Sequence, residues 1–233
     1  MDHKAHGTRM RNLLGLRWPP VALAFRSAPP PNVRRISESL PAGCGYWRHA
    51  AEGEIFFTEA SDHYNCPIGA HTHGVDPPSE RSREFQEIVG TMVRIGYIEL
   101  DEVAAIPRGS RAFGVAVYAP LTATPTEPDV VLVRGNALQM MLLAEAVRAA
   151  GVSHDMAAML RPTCAIVPEA IQSGRPSLSL GCIGNRVYTE LGPDEMYFAL
   201  PAQTVADVVD KLDGVVKANR ELESFHHQRG GET

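Results

Sequence analysis

The sequence predicts an α/β (α+β) protein made of two similar halves. Three observations predict it. Short apolar runs of strand character alternate irregularly with segments of helical spacing, which argues against all-α and all-β classes. An ordered set of residues occurs twice along the chain. The 233 residues are 44% hydrophobic and 21% charged, which fits a globular chain and is too apolar for disorder.

The elements follow in order. Residues 1–17 are polar and basic, with Leu13 and Leu14 adjacent, and form an N-terminal extension that is either a short helix or disordered. Trp18-Pro19-Pro20 closes it, and Val21 to Phe25 reads as a buried strand. Three prolines between Ala28 and Asn32 mark a loop. Cys44 to Ala51 reads as a short helix stopped by Gly53, and Glu54 to Thr58 as a strand. Asp62 to Gly74 is turn-rich. Ser79 then caps a helix whose Phe85, Ile88, Val89, Met92 and Ile95 share one core-facing side. Strands follow at Phe113 to Ala119 and Asp129 to Val133, joined by a Thr/Pro-rich connection. Asn136 caps a helix from Ala137 to Ala150, apolar nearly all round and ended by Gly151. Pro162 opens a short helix to about Ser173, and strands follow at Ser177 to Leu180 and Glu195 to Leu200. Val205 to Val216 is a closing amphipathic helix, and residues 224–233 form a polar, frayed tail. One globular domain, 18–223, therefore holds two halves at about 18–122 and 128–212.

The repeat is specific in its order. Cys44, a short helix, Gly53, a strand and Cys66-Pro67-Ile68-Gly69 are echoed by Cys164, a short helix, Gly174, a strand and Cys182-Ile183-Gly184. The cysteines stand 22 apart in the first copy and 18 apart in the second. A strand precedes each copy, and a strand ending in proline follows each, at Pro120 and Pro201. The expectation is a fused duplication with pseudo-twofold symmetry and a ligand site at the junction.

Composition excludes several function classes. A net charge of −5 gives no electrostatic reason for nucleic acid or a membrane surface as partner. No apolar run approaches the ~20 residues of a spanning helix. The first 17 residues lack the apolar core of a secretory signal, so a cytoplasmic location is expected. In a reducing compartment, four cysteines are core residues, metal ligands or redox groups rather than a disulfide framework.

Cys44 and Cys164 each open a short helix, where the helix end favours thiolate. Cys66 and Cys182 sit in glycine-containing turns. Four thiolates suit an iron–sulfur cluster or a zinc site. No pair forms a C-x-x-C, so a shared site must be assembled by the fold, and four separate buried cysteines satisfy the spacing equally. His63, Cys66, His71 and His73 are a rival metal set within eleven positions. Arg134 and Asn136 lie between a strand and a helix start, an anion position, and Arg186 follows Cys182 closely enough to bind an anion there or to pair with a carboxylate. Asp62, Glu169 and Glu195 are carboxylates near turns, Met140 and Met141 read as core, and His226 and His227 as solvated. No phosphate-binding glycine loop, G-x-S-x-G or H-E-x-x-H is present.

Several of these pieces, taken in order, carry a resemblance. They are Pro19 to Leu23, Cys44 to Ala51, Asp62-His63 with Cys66 to Gly69, Tyr118 to Leu121, Pro128 to Val131, Arg134 to Asn136, Ser179 to Arg186 and Asp194 to Met196. Over about residues 13–212 the chain resembles domain-of-unknown-function family 169. The resemblance implies a prokaryotic cytoplasmic protein whose family cysteines match Cys44, Cys66, Cys164 and Cys182; it brings no mechanism with it. The family pattern often has glycine after its second cysteine, where this chain has Pro67. Three functions are then expected in order. The first is an iron–sulfur redox, electron-transfer or accessory protein ligated by the four cysteines, served by a redox partner. The second is a metal-free thiol enzyme, or one binding a small anionic ligand through Arg134 or Arg186. The third is a non-catalytic module binding a small molecule or cofactor at the junction.

Overall fold

The computed structural model describes residues 2–36, 38–110, 113–152, 155–159 and 161–231. In chain order the elements are α1 (His3–Leu14), β1 (Val21–Arg26), β2 (Arg34–Arg35), α2 (Gly45–Ala51), β3 (Phe56–Glu59), α3 (Pro67–Thr72), α4 (Ser79–Arg94), α5 (Leu100–Ala104) and β4 (Val115–Pro120). They continue as β5 (Val130–Asn136), α6 (Ala137–Ala149), β6 (Ala157–Met159), α7 (Ile166–Ser173), β7 (Ser177–Ser179), α8 (Ile183–Thr189), β8 (Glu195–Pro201) and α9 (Val205–Gly231).

Continuous apolar runs make strands that are covered on both faces. β4 is buried along its whole length and β5 along nearly all of it, so both sit in the middle of the sheet. The sheet has eight strands in the order β2-β3-β4-β1-β5-β8-β7-β6. At its centre β1 and β5 pair antiparallel, with Ala22 opposite Val131. Outward on each side come two antiparallel neighbours, β4 then β3 on one side and β8 then β7 on the other. Each edge strand, β2 or β6, is parallel to its neighbour. Strand order and pairing sense therefore read the same from either edge, as two similar halves require. Superposition of the halves, not strand order, decides whether they arose by duplication.

Alternate residues of the central strands feed two cores. Val131, Val133, Phe198 and Leu200 meet Met10 and Leu14 of α1, Leu143 and Val147 of α6, and Val208 and Leu212 of α9. The opposite face carries Leu23, Tyr118, Leu132 and Tyr197, covered by Tyr46 and Trp47 of α2 and Ile166 and Val167 of α7. Each such fully buried side chain contributes roughly 1.5–3 kcal/mol.

Several elements differ from the sequence expectation. The segment before residue 18 is built into the fold, since Met10 and Leu14 of α1 are core residues. α6 is capped by Asn136 as expected, in a box with Gln139, but it is not covered all round: Leu138 and Met141 are exposed. The turn-rich stretch after Asp62 contains α3, with Pro67 in its first turn, so the proline that departs from the family pattern is accommodated. Ser79 is the first residue of α4 rather than its cap, with Pro78 in the cap position. The tail is helical: α9 runs to Gly231, while Glu232 and Thr233 lie outside the described residues. No described helix is long and apolar enough to cross a membrane.

Candidate functional site

The four cysteines occupy four corresponding places. Cys44, Cys66 and Cys182 stand at the N-cap positions of α2, α3 and α8. Cys164 lies in the helical turn Thr163–Ala165 that leads into α7. All four are free thiols, and all four line one cavity of about 500 Å³ on the α2/α7 face of the sheet. The fold thus assembles from both halves what no local spacing announces.

Local contacts fix the sulfurs. Cys66 Sγ accepts a hydrogen bond from the Gly69 N–H at 3.3 Å. A Cβ at position 69 would stand 2.8 Å from that sulfur, so glycine is what lets the thiol lie over the start of α3. In the second half the Cys182 N–H donates to Thr163 Oγ1 at 2.6 Å, tying the two cysteine segments together.

Burial decides the protonation of three thiols. It pushes Cys44 up to about 12, against the adjacent Asn185 amide and with Cys66 and Cys182 adding to the rise. It raises Cys164 well above the ordinary range, to which Cys66, Cys44 and Cys182 again contribute. It raises Cys66 too, although the Gly43 and Gly69 N–H groups oppose it. The thiolate-favouring influence expected of the helix starts is outweighed by desolvation. Among the described residues, no group of three or more His, Cys, Asp or Glu side chains stands ready to hold a metal ion.

The rest of the cavity wall is mainly apolar. Phe85, Ile88, Val89 and Met92 of α4, then Tyr97, Ile98, Val103 and Ile106, form one side. Of the stripe that the sequence assigns to the core, Phe85, Ile88, Val89 and Met92 face this space instead and Ile95, just past the end of α4, is exposed; within α4 only Val89 is buried. Arg161 and Glu102, both on the wall, pair with each other at 3.2 Å. Asn185 also lines the cavity; it is 1% exposed, and neither of its amide atoms has a hydrogen-bond partner. Sequence reasoning passed over this residue, although it stands in the Gly184-Asn185-Arg186 run beside Cys182.

The other candidate residues lie apart from this cavity. Arg134 is buried against its own protein: it pairs with Glu195 and donates to the carbonyls of Thr189 and Glu190. Asn136 is engaged in capping α6. Arg186 donates to the carbonyls of Leu180, Gly192 and Glu195 rather than to a carboxylate. His63 is fully buried, bonded through Nε2 to Thr58 Oγ1 at 2.8 Å and packed beside His73. His71 stacks on Phe85 instead of joining them. Asp62 accepts from Arg35 and the Glu59 N–H. Glu169 is half-buried in the first turn of α7. Met140 is core and Met141 exposed, and His226 and His227 are exposed on α9.

The chain is 27% identical over 164 residues to the uncharacterised protein MJ0308 of Methanocaldococcus jannaschii, an alignment spanning 65% of this chain and 67% of that one. No solved structure is a significant match. The model of domain-of-unknown-function family 169, described as uncharacterised ArCR, matches residues 9–211, a span that includes every cysteine and every described strand. The chain belongs to this family.

Proposed function

We propose that Cys44, Cys66, Cys164 and Cys182 act together as a four-thiolate centre holding an iron–sulfur cluster, and that the protein serves a redox, electron-transfer or accessory step. One observation carries the reading: all four cysteines of the chain, drawn from four segments in two halves, line the same cavity. Four soft sulfur donors in a poorly solvated space match what such a cluster requires. When bound, the cluster supplies one-electron transfer. The Gly69 N–H on Cys66 Sγ is the kind of contact that tunes such a centre. Buried thiols that resist ionisation alone release their protons when cations arrive to balance the charge, so loading is proton-coupled. The same protonated thiols count against a metal-free thiol nucleophile, which works as thiolate.

Anaerobic purification with an absorption spectrum and iron, zinc and sulfide analysis tests the reading. Broad absorbance near ~400 nm with iron and sulfide is expected. Each single Cys→Ser variant should then lose metal. Colourless, iron-free protein that also fails to take up iron and sulfide in reconstitution overturns it. Zinc without sulfide would keep the four-thiolate centre and replace the cluster with a structural or Lewis-acid ion.

A further inference from the structure

The cysteines occupy only part of their cavity. The part under α4 and α5 is a separate feature. Ile88 and Met92 line it from successive turns of α4 and are only half-buried. An amphipathic helix ordinarily hides such a stripe in a core. A space of about 500 Å³ falls within the range of small-molecule sites and is larger than a void proteins usually leave. Charge on the wall is neutralised, since Arg161 and Glu102 pair with each other. Two polar features of the wall are left unmet: Arg161 Nε, and the buried Asn185 amide, which stands beside the Cys44 thiol and has no hydrogen-bond partner on either atom.

We propose that this cavity binds a neutral, apolar organic molecule with a single hydrogen-bonding head, its body against α4 and α5 and its head on the Asn185 amide. The neutral wall sets it apart from the anionic ligand that the arginine-bearing turns suggested, and both of those arginines are occupied by carbonyls or Glu195. The site adjoins the thiols and stands whether or not they hold a metal.

Fluorescence titration of the protein as purified with N-phenyl-1-naphthylamine tests this. Saturable, one-to-one enhancement is expected. Ile88→Trp fills the space from the α4 side and should weaken the probe roughly tenfold or more. Met92→Trp, one turn along, serves if that variant does not fold. In competition, 1-naphthol should displace the probe better than naphthalene does, and Asn185→Leu should cut that advantage by about threefold to tenfold. Absence of saturable enhancement overturns the proposal, as does unchanged affinity in a folded tryptophan variant. Iron is measured in the same samples. Iron without probe binding ends this proposal and leaves the thiolate centre standing; probe binding in iron-free protein does the reverse.

Discussion

The two halves share a floor and differ in what they build above it. Each gives the cavity two cysteines at helix starts, one before its third strand and one after it. The first half then inserts α4 and α5 before returning to the sheet, and these roof the cavity. The second half returns directly from α8 to β8 and places its long helix, α6, on the opposite face. Both halves place an ion pair near the end of their first strand, Arg26 with Asp129 in β1 and Arg134 with Glu195 in β5, and β1 adds Phe25 packed on Phe113 and His73. A paired floor lies under a one-sided roof: both halves bring two thiols to the cavity, and α4 and α5 of the first half cover it.

Packing offers the strongest way to break this comparison. Trp47 and Val167 each lie three residues after the first cysteine of their half, and both are buried on the same face. Trp47 packs edge-on against Tyr197 with centroids 5.2 Å apart. Trp47→Ala should cost about 3–5 kcal/mol and Val167→Ala about 2 kcal/mol, read from denaturant unfolding. Equal losses would mean that the two helices are not differently anchored.

Acid should separate the halves next. Burial holds His63 and His73 below the ordinary 6.5, and for His63 the neighbouring His73 lowers it further. Above 6.5 these imidazoles are neutral folded or unfolded; below it the unfolded chain takes up protons that the folded one resists, so stability falls with pH. In the second half, burial pushes the Glu195 carboxyl up, but Arg134 and the Gly192 N–H outweigh it and leave it below 4.5. Its contribution is complete above about 4.5 and is lost as pH falls through the lower folded value. Unfolding free energy should therefore decline in two stages. His63→Gln should flatten the first stage. Glu195→Gln should cost about 1–3 kcal/mol at neutral pH and progressively less in acid. A single stage unaffected by His63→Gln would break the assignment.

Legibility in the sequence follows the same divide. The paired floor was readable because its signals are local: a cysteine, a short helix, a glycine and a strand, twice. α8 was not, because Ile183, Val187 and Tyr188 are exposed and give its seven residues no buried stripe to mark a helix. Apolar spacing on α4 predicts a core-facing stripe, because spacing does not distinguish packed side chains from the wall of a cavity. Arg134 looked like an anion site because the carboxylate that fills it, Glu195, lies 61 residues away. The sequence expects convergence of the thiols through a duplication, which the strand order of the sheet does not by itself establish.

The smallest effect belongs to α9, which is two regions in one helix. Val205, Val208, Val209 and Leu212 sit in the core, so Leu212→Ala should cost about 2–5 kcal/mol. Beyond Glu221 the described helix is exposed, Leu222 and Phe225 included. Deleting the residues after 221 removes no core contact and should shift unfolding free energy by less than about 0.5 kcal/mol. Denaturant melts of the full and shortened chains at two protein concentrations check this. A larger loss, with the full chain less stable on dilution and the shortened chain indifferent to concentration, would show that Leu222 and Phe225 are covered in solution by a second copy.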